Sequence, residues 1–313
     1  MNKTLDFARK YGIAVITIAV FLALATTTEG FATTRNLRNI LDQQSTVLIA
    51  ASFMTLAIIA GNFYVSVSSV FVTAPLFGLV VENATGSALL ALGAALVVGP
   101  LMGLFNGVIV TLLKVNSFIG TLATSFIFFG AGYLVSDRSL MRPEGEMFQQ
   151  IARTRFLGVT SAFWIALVVV IIAAILLSRT RFGRNIYATG GNREAARLAG
   201  VKVDRVQSMT FVLLGAAAAL AGVLNASRSI SAQPSDDFSF VFTVLTAVIV
   251  GGTSIAGGQG AIWRTVAAVF FLAFMTNGFN LHQIDPIWQR IIQGLVILVA
   301  VTIDAWSQRG HRS

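Results

Sequence analysis

Six long stretches of this chain, residues 43–81, 83–113, 115–136, 156–178, 206–227 and 238–263, contain no Asp, Glu, Lys or Arg. Each is long enough for one or two helices across a hydrocarbon core, which takes roughly 20 residues per helix. A soluble domain carries about 25% charged residues, whereas this chain carries 11%. No soluble core could bury so many uncharged runs. The expected fold is all-α: a polytopic membrane helical bundle, a single transmembrane domain over residues 1–313.

The apolar runs place ten spans, near 11–28, 46–61, 65–81, 87–113, 117–135, 158–178, 207–226, 238–251, 262–280 and 287–305. The first has a basic flank and could pass for a signal peptide, but it ends in Thr-Thr-Thr-Glu-Gly with no A-x-A-like cleavage site, so it reads as a retained span. Only residues 62–64 separate the second and third spans. The eighth is too short to cross, and the Gly-rich residues 251–260 follow it. Such breaks point to broken or re-entrant segments packed inside protein. Pro75 and Pro100 are expected to kink the third and fourth spans.

Orientation follows from counting charges. With the N-terminus inside and sides alternating, the inner side holds Lys3, Arg9, Lys10, Lys114, seven basic residues from Arg179 to Arg205, Arg309 and Arg312. The acids there are Asp6, Glu194, Asp204 and Asp304. The outer side holds Arg35, Arg38, Arg138, Arg142, Arg153, Arg155 and Arg228 against nine acids. An inner excess of Lys and Arg is what the positive-inside rule asks for. Both termini are therefore expected in the cytoplasm, with residues 178–206 forming a cytoplasmic loop. The net charge of +9 reports topology, and no nucleic-acid partner is expected.

There is a hint of an internal repeat. "LAIIAGNFYVSVSSV" (56–70) and "AVIVGGTSIAGGQGAI" (247–262) share an apolar run, a small-residue break and a small or polar tail. Phe105-Asn106-Gly107 and Thr276-Asn277-Gly278 then follow in the same order. Two pseudo-repeated halves with broken helices in matching places are typical of transporters.

The residues offer almost no catalytic chemistry. There is no cysteine, and His282 and His311 are too far apart for a metal cluster, so neither a catalytic nor a metal site is expected. "GGTSIAGGQG" lacks the lysine of a phosphate-binding loop and reads as close backbone packing at a tight turn. Asp304 alone among the acids falls in a span, and Arg264 and Arg290 read as snorkelling anchors at helix ends. A membrane enzyme would need acids clustered at one face. Asp137, Glu144 and Glu146 are the nearest, and they lie in a mixed-charge loop. Ion-coupled carriers keep ionisable groups on their path. A carrier without them is passive or borrows energy from a partner.

Residues 192–200 read as a short, properly terminated helix on the cytoplasmic side, where a partner could dock. Asn192 is a good N-cap, Glu194 suits a helix N-terminus, and Gly200 stands where a C′ glycine belongs. Gly190-Gly191 allow a turn into this short helix. By composition alone an ordinary basic loop fits equally well.

Here the chain resembles a family. "TRFGRNIYATGGNREAARLAGV" (180–201), "GLFNGVIVTLLKVNSFIGTLAT" (103–124), "TAVIVGGTSIAGGQGAIWRT" (246–265) and "NGFNLHQIDPIWQRIIQGLVILVAV" (277–301) are together similar to permease subunits of ribose/xylose-type carbohydrate ABC importers. That branch also includes amino acid and autoinducer permeases. The resemblance implies a bacterial inner-membrane subunit that binds no cofactor itself. Its ATP and magnesium would lie on a cytoplasmic ATPase subunit. Its other partners would be a periplasmic solute-binding protein, a second permease copy or a paralogue, and the lipid bilayer. The short helix becomes a coupling helix whose contact with the ATPase uses Gly190, Gly191, Asn192, Glu194, Ala195, Ala196, Arg197 and Gly200.

The family pattern G-G-I-D-L-S-V-G-S is altered here to "GNFYVSVSS" (61–69). Tyr64 stands at the acidic position, and Asn62 and Ser68 replace glycines. The change bears on selectivity if the turn lines the path. It also raises the prospect of a heteromeric pore. Polar residues on the uncharged spans are the candidates for a path for a neutral polyhydroxy solute: Asn62, Tyr64, Ser66, Asn106, Thr121, Thr124, Asn277 and Asn280. Each serves equally well as a helix–helix hydrogen bond. A stand-alone secondary carrier is the reading from a different class.

Overall fold

A computed structural model describes residues 3–289 together with 291–292, 294–296, 298 and 302, with side chains from Tyr11 onward. The tenth expected span therefore lies partly outside the described residues, as do Arg290, Asp304, Arg309, His311 and Arg312.

The chain is a helical bundle. Its long helices are α1 (Lys3–Thr27), α2 (Thr34–Ile59), α3 (Val67–Thr85), α4 (Ala88–Thr111) and α5 (Ser117–Val135). A short α6 (Glu146–Arg153) and a two-stranded hairpin, β1 (Arg155–Phe156) and β2 (Val159–Thr160), lead into α7 (Ser161–Arg179). Then come α8 (Arg181–Gly191), α9 (Arg193–Leu198), α10 (Val203–Ser229), α11 (Ser239–Val250) and α12 (Ile262–Leu281). Among the described residues seven helices are long and apolar enough to cross a membrane. The first nine expected spans each coincide with a helix. Helices α3 and α4 run on through Pro75 and Pro100.

Helix α2 is the axis. Every residue from Leu48 to Ala60 is buried, the mark of a helix apolar on all faces. It packs against α7, α10, α11 and α12. It also begins at Thr34, a full three turns before the expected start, where Thr33 caps it by accepting from the Asn36 amide. Arg35, Arg38 and Asp42 suggested a loop by their charge. The helix keeps Asp42 because its carboxylate accepts from the Thr160 amide and hydroxyl of the hairpin.

The tightest packing joins α4 to α10. Gly99, Gly103 and Gly107 recur every fourth residue along one face of α4. A Cβ on Gly99 would overlap Ala219 and the Gly215 carbonyl, and one on Gly103 would overlap the Phe211 carbonyl. Small residues at this spacing let helix backbones touch, which is how membrane helices pack without a hydrophobic driving force between them.

Helix α11 has 12 residues, about 18 Å of rise, too little to cross. Its first-turn amide at Val241 donates to Ser68 Oγ at 2.8 Å. That bond satisfies a helix start where irregular backbone inside a membrane needs a protein partner. Ser68 thus holds the broken span in place.

The loop before α7 is a structured cap rather than a plain connection. Phe148 and Ala152 of α6 are buried, and Ser227 of α10 accepts from the Ala152 amide and donates to the Phe148 carbonyl. Buried Glu82 accepts from the amides of Glu144 and Gly145, at 3.0 and 2.7 Å.

Candidate functional site

Two clusters matter, and they adjoin at one end of the bundle. The first is a polar node around the break between α2 and α3. Asn106 of α4 donates to Ser66 Oγ (2.7 Å) and accepts from Thr124 Oγ1 of α5. Thr121 Oγ1 accepts from the Val65 amide (2.9 Å) and Ser117 Oγ from the Phe63 amide (3.1 Å). The unwound backbone between the helices is thereby satisfied by hydroxyls of the first two turns of α5. Tyr64 is buried against Phe211, ring centroids 5.3 Å apart, with its hydroxyl near Asn106 and Ser66 but without a well-formed hydrogen bond. Both polar atoms of the Asn62 side chain are buried and unpartnered.

Six of the eight residues expected along a solute path are therefore gathered in this node: Asn62, Tyr64, Ser66, Asn106, Thr121 and Thr124. All are at most 1% exposed, so a solute meets them only if the break opens. The other two lie at the opposite end of α12. Asn277 forms a reciprocal amide pair with Asn36 of α2, at 2.8 and 2.9 Å, and exposed Asn280 accepts from Gln289.

The second cluster is a joint of backbone against backbone. The Ile59 carbonyl, at the end of α2, accepts from the Gly258 amide at 2.9 Å. Gly190 of α8 lies against the same carbonyl, and a Cβ there would overlap it. Tyr187 donates to the Gly260 carbonyl (2.8 Å), and Gln207 of α10 donates to the Ala60 carbonyl (3.3 Å). Burial pushes the Tyr187 phenol up, against the opposing pull of the Arg264 guanidinium, so the hydroxyl stays protonated and donates. The two Gly- and Ser-rich breaks paired by sequence, at 60–66 and 251–261, thus meet in space under α8.

Gly190 and Gly191 close helix α8 rather than forming the turn expected of them. The turn is made by Asn192 alone, in extended conformation, and its side chain accepts from the Glu194 and Ala195 amides at 3.0 Å each. Gly200, at φ 83°, ends the short helix, and its amide donates to the Arg197 carbonyl. Of the residues expected to contact a partner, Gly191, Asn192, Glu194, Ala195, Arg197 and Gly200 are exposed. Ala196 is buried and Gly190 faces the chain's own joint. Arg197 and Lys114 both pair with Asp204, at 3.0 and 3.1 Å, tying α9 and the α4–α5 turn to α10.

Sequence reasoning passed over Leu198, which is 89% exposed on α9. An apolar side chain in the last turn of a capped surface helix was the available signal. It also passed over Gly99, Gly103 and Gly107, whose four-residue spacing is plain in the sequence. Among the described residues no group of three or more His, Cys, Asp or Glu could hold a metal.

A break in the membrane-spanning axis, sealed by polar side chains and joined through glycines to a capped surface helix, is the architecture of a transport permease. Residues 36–301 match the family model described as branched-chain amino acid transport system/permease component, and the chain belongs to this family. It is 37% identical over 304 residues to the L-arabinose transport system permease protein AraH of Escherichia coli (strain K12), covering 97% of this chain and 93% of the relative. It is 36% identical to the ribose import permease protein RbsC of the same strain, covering 93% and 92%. Identity to RbsC of Bacillus subtilis (strain 168) is 34%, covering 86% and 84%. No solved structure matches the chain.

Proposed function

We propose that this chain is the membrane-spanning subunit of an ATP-driven, binding-protein-dependent importer that carries a monosaccharide across a bacterial inner membrane. The observation that carries the reading is identity above one third, across nearly the whole chain, with permeases named for L-arabinose and ribose. Neutral hydroxyl and amide groups in the node suit a polyhydroxy solute better than an ion. The solute passes between this chain and a second permease subunit, and the node holds the wall of that path.

The α8–α9 segment is the contact for a cytoplasmic ATPase, which holds the ATP and magnesium. Leu198 belongs to that contact together with the exposed residues from Gly191 to Gly200. Sidedness rests on charge. The loops on the α9 side hold Lys114 and seven basic residues between Arg179 and Arg205, against Glu194 and Asp204, which puts that side in the cytoplasm. A periplasmic binding protein then delivers solute at the α6 end. No reaction is catalysed by this chain itself.

The test is uptake by proteoliposomes holding this chain and its cognate ATPase, with the co-encoded binding protein added. ATP-dependent entry of a labelled sugar is expected. No ATP-dependent uptake of any ligand of that binding protein would sink the reading. Uptake of an amino acid alone would keep the importer and overturn the sugar.

A further inference from the structure

The hairpin before α7 carries a conformational cost that the bundle does not need. Its register pairs Arg155 with Thr160 and Phe156 with Val159, leaving a two-residue turn, Leu157-Gly158. Both turn residues have positive φ, 52° and 80°. Such turns favour Asn-Gly or Asp-Gly, because an ordinary side chain is strained in the left-handed region. Here a leucine occupies the strained position, 73% exposed, beside Phe156 at 63%. An apolar tip in an unfavourable conformation contributes nothing to the chain's own core, so its use lies outside the chain.

The tip is held firmly. Asp42 of α2 accepts from the Thr160 amide and hydroxyl, and the Arg38 guanidinium lies against Gly158. Trp164 of α7 donates its Nε1–H to the Phe156 carbonyl at 3.1 Å and packs edge-on to the Phe156 ring, centroids 5.8 Å apart.

Trp164 also sets the depth. Val168, Ile171, Ile172 and Ile175 form an exposed stripe at helical spacing on α7, and Trp164 stands one turn above Val168 on the same face. Helix α7 has 19 residues, about 28 Å, which nearly matches the hydrocarbon thickness. Its first turn therefore lies where hydrocarbon gives way to headgroups. Trp at that depth, with an aromatic neighbour, is the composition of the interfacial belt. Arg153 and Arg155, both exposed, flank the tip at headgroup level, and neither forms a salt bridge among the described residues.

We propose that Arg153–Gly158, buttressed by Trp164, is a bilayer-surface anchor. Phe156 and Leu157 insert into the leaflet at the α6 end, and Arg153 and Arg155 meet lipid phosphates. A docking face for a water-soluble binding protein would stand clear of the bilayer. This one continues a lipid-facing stripe. The anchor fixes the frame of α7 against the membrane and does not depend on which solute is carried.

The chain contains no cysteine, so each engineered cysteine is the single labelling site on it, and the label is attached before the partner subunits are added. Nitroxide labels are placed through Leu157→Cys and, separately, Phe156→Cys, with Asp236→Cys as an exposed loop reference. The full transporter is reconstituted in vesicles of phosphatidylethanolamine and phosphatidylglycerol. Collision rates with oxygen and with a water-soluble nickel chelate are then measured by power saturation. The expected result is an oxygen-to-nickel ratio at 157 and 156 several-fold above that at 236. It should fall when Arg153 and Arg155 are both replaced by Ala. A ratio equal to that at 236 overturns the proposal in favour of an aqueous loop. Protection from both reagents overturns it in favour of a protein contact, as does protection that appears only when the binding protein is added.

Discussion

The two ends of the bundle are held by opposite means. At the α6 end, carboxylates and hydroxyls clasp loop amides: Glu82 holds Glu144 and Gly145, Asp42 holds Thr160, and Ser227 holds Ala152. At the α9 end, α2 meets α8 and the 251–261 break mainly through glycines, with three hydrogen bonds, from the Gly258 amide to the Ile59 carbonyl, from Tyr187 to the Gly260 carbonyl and from Gln207 to the Ala60 carbonyl. The clasped end is fixed by many directional bonds. The glycine joint depends on shape. A contact of fitted surfaces with few directional bonds has fewer links to break when it shifts, and packed surfaces of this kind move between discrete arrangements. Motion imposed from α9 is therefore expected to pass through the joint into the polar node, while the far end stays still.

The sharpest way to break this contrast is Gly190→Val. The added side chain cannot coexist with the Ile59 carbonyl, and overpacking of this kind costs about 1–3 kcal/mol. ATP-dependent uptake should drop roughly tenfold or more while the chain still reaches the membrane. Near-normal uptake with normal ATPase binding would mean that the joint transmits nothing. Glu82→Ala attacks the clasped end by removing the acceptor for two amides, a loss of about 2 kcal/mol for bonds to a charged group. Its main readout is faster proteolysis within residues 136–160, with uptake reduced less than by Gly190→Val. An unchanged cleavage rate would argue against the clasp.

Smaller effects sharpen the comparison. Ser68→Gly strips the acceptor from the Val241 amide, worth about 1 kcal/mol. Thermal unfolding should come roughly 2–4 °C earlier; a rise in Tm would show that the serine is not holding α11. Tyr187→Phe deletes one partly exposed bond to Gly260, under about 1 kcal/mol. It should lower uptake more than it lowers Tm. The reverse order would make Tyr187 a plain structural contact.

Much of this was legible in the sequence, because long uncharged runs leave a chain few options. The short α11 was readable from the length of its apolar run, and the cap of α9 from Asn192 and Gly200. Contacts distant in sequence were not readable. Asn106 is recognisable as a polar residue in an apolar span, but nothing local says that it bonds Ser66 on one side and Thr124 on the other. Charge misled at the start of α2, where Asp42 serves the hairpin rather than solvent. Gly190 misled because glycine permits both a turn and a close approach, and only the neighbouring Ile59 carbonyl decides between them.

The α4–α10 seam has a consequence for how the protein is made. Gly99, Gly103 and Gly107 close against Ala219 and Gly215, Phe211, and Ser208 respectively, which leave the ribosome long after α4 is already in the bilayer. Until then the glycine face of α4 lacks the helix it is shaped to meet, although Asn106 on the same helix already has its partners Ser66 and Thr124. The first half of the chain must wait in the membrane, unfinished, for its counterpart to be synthesised.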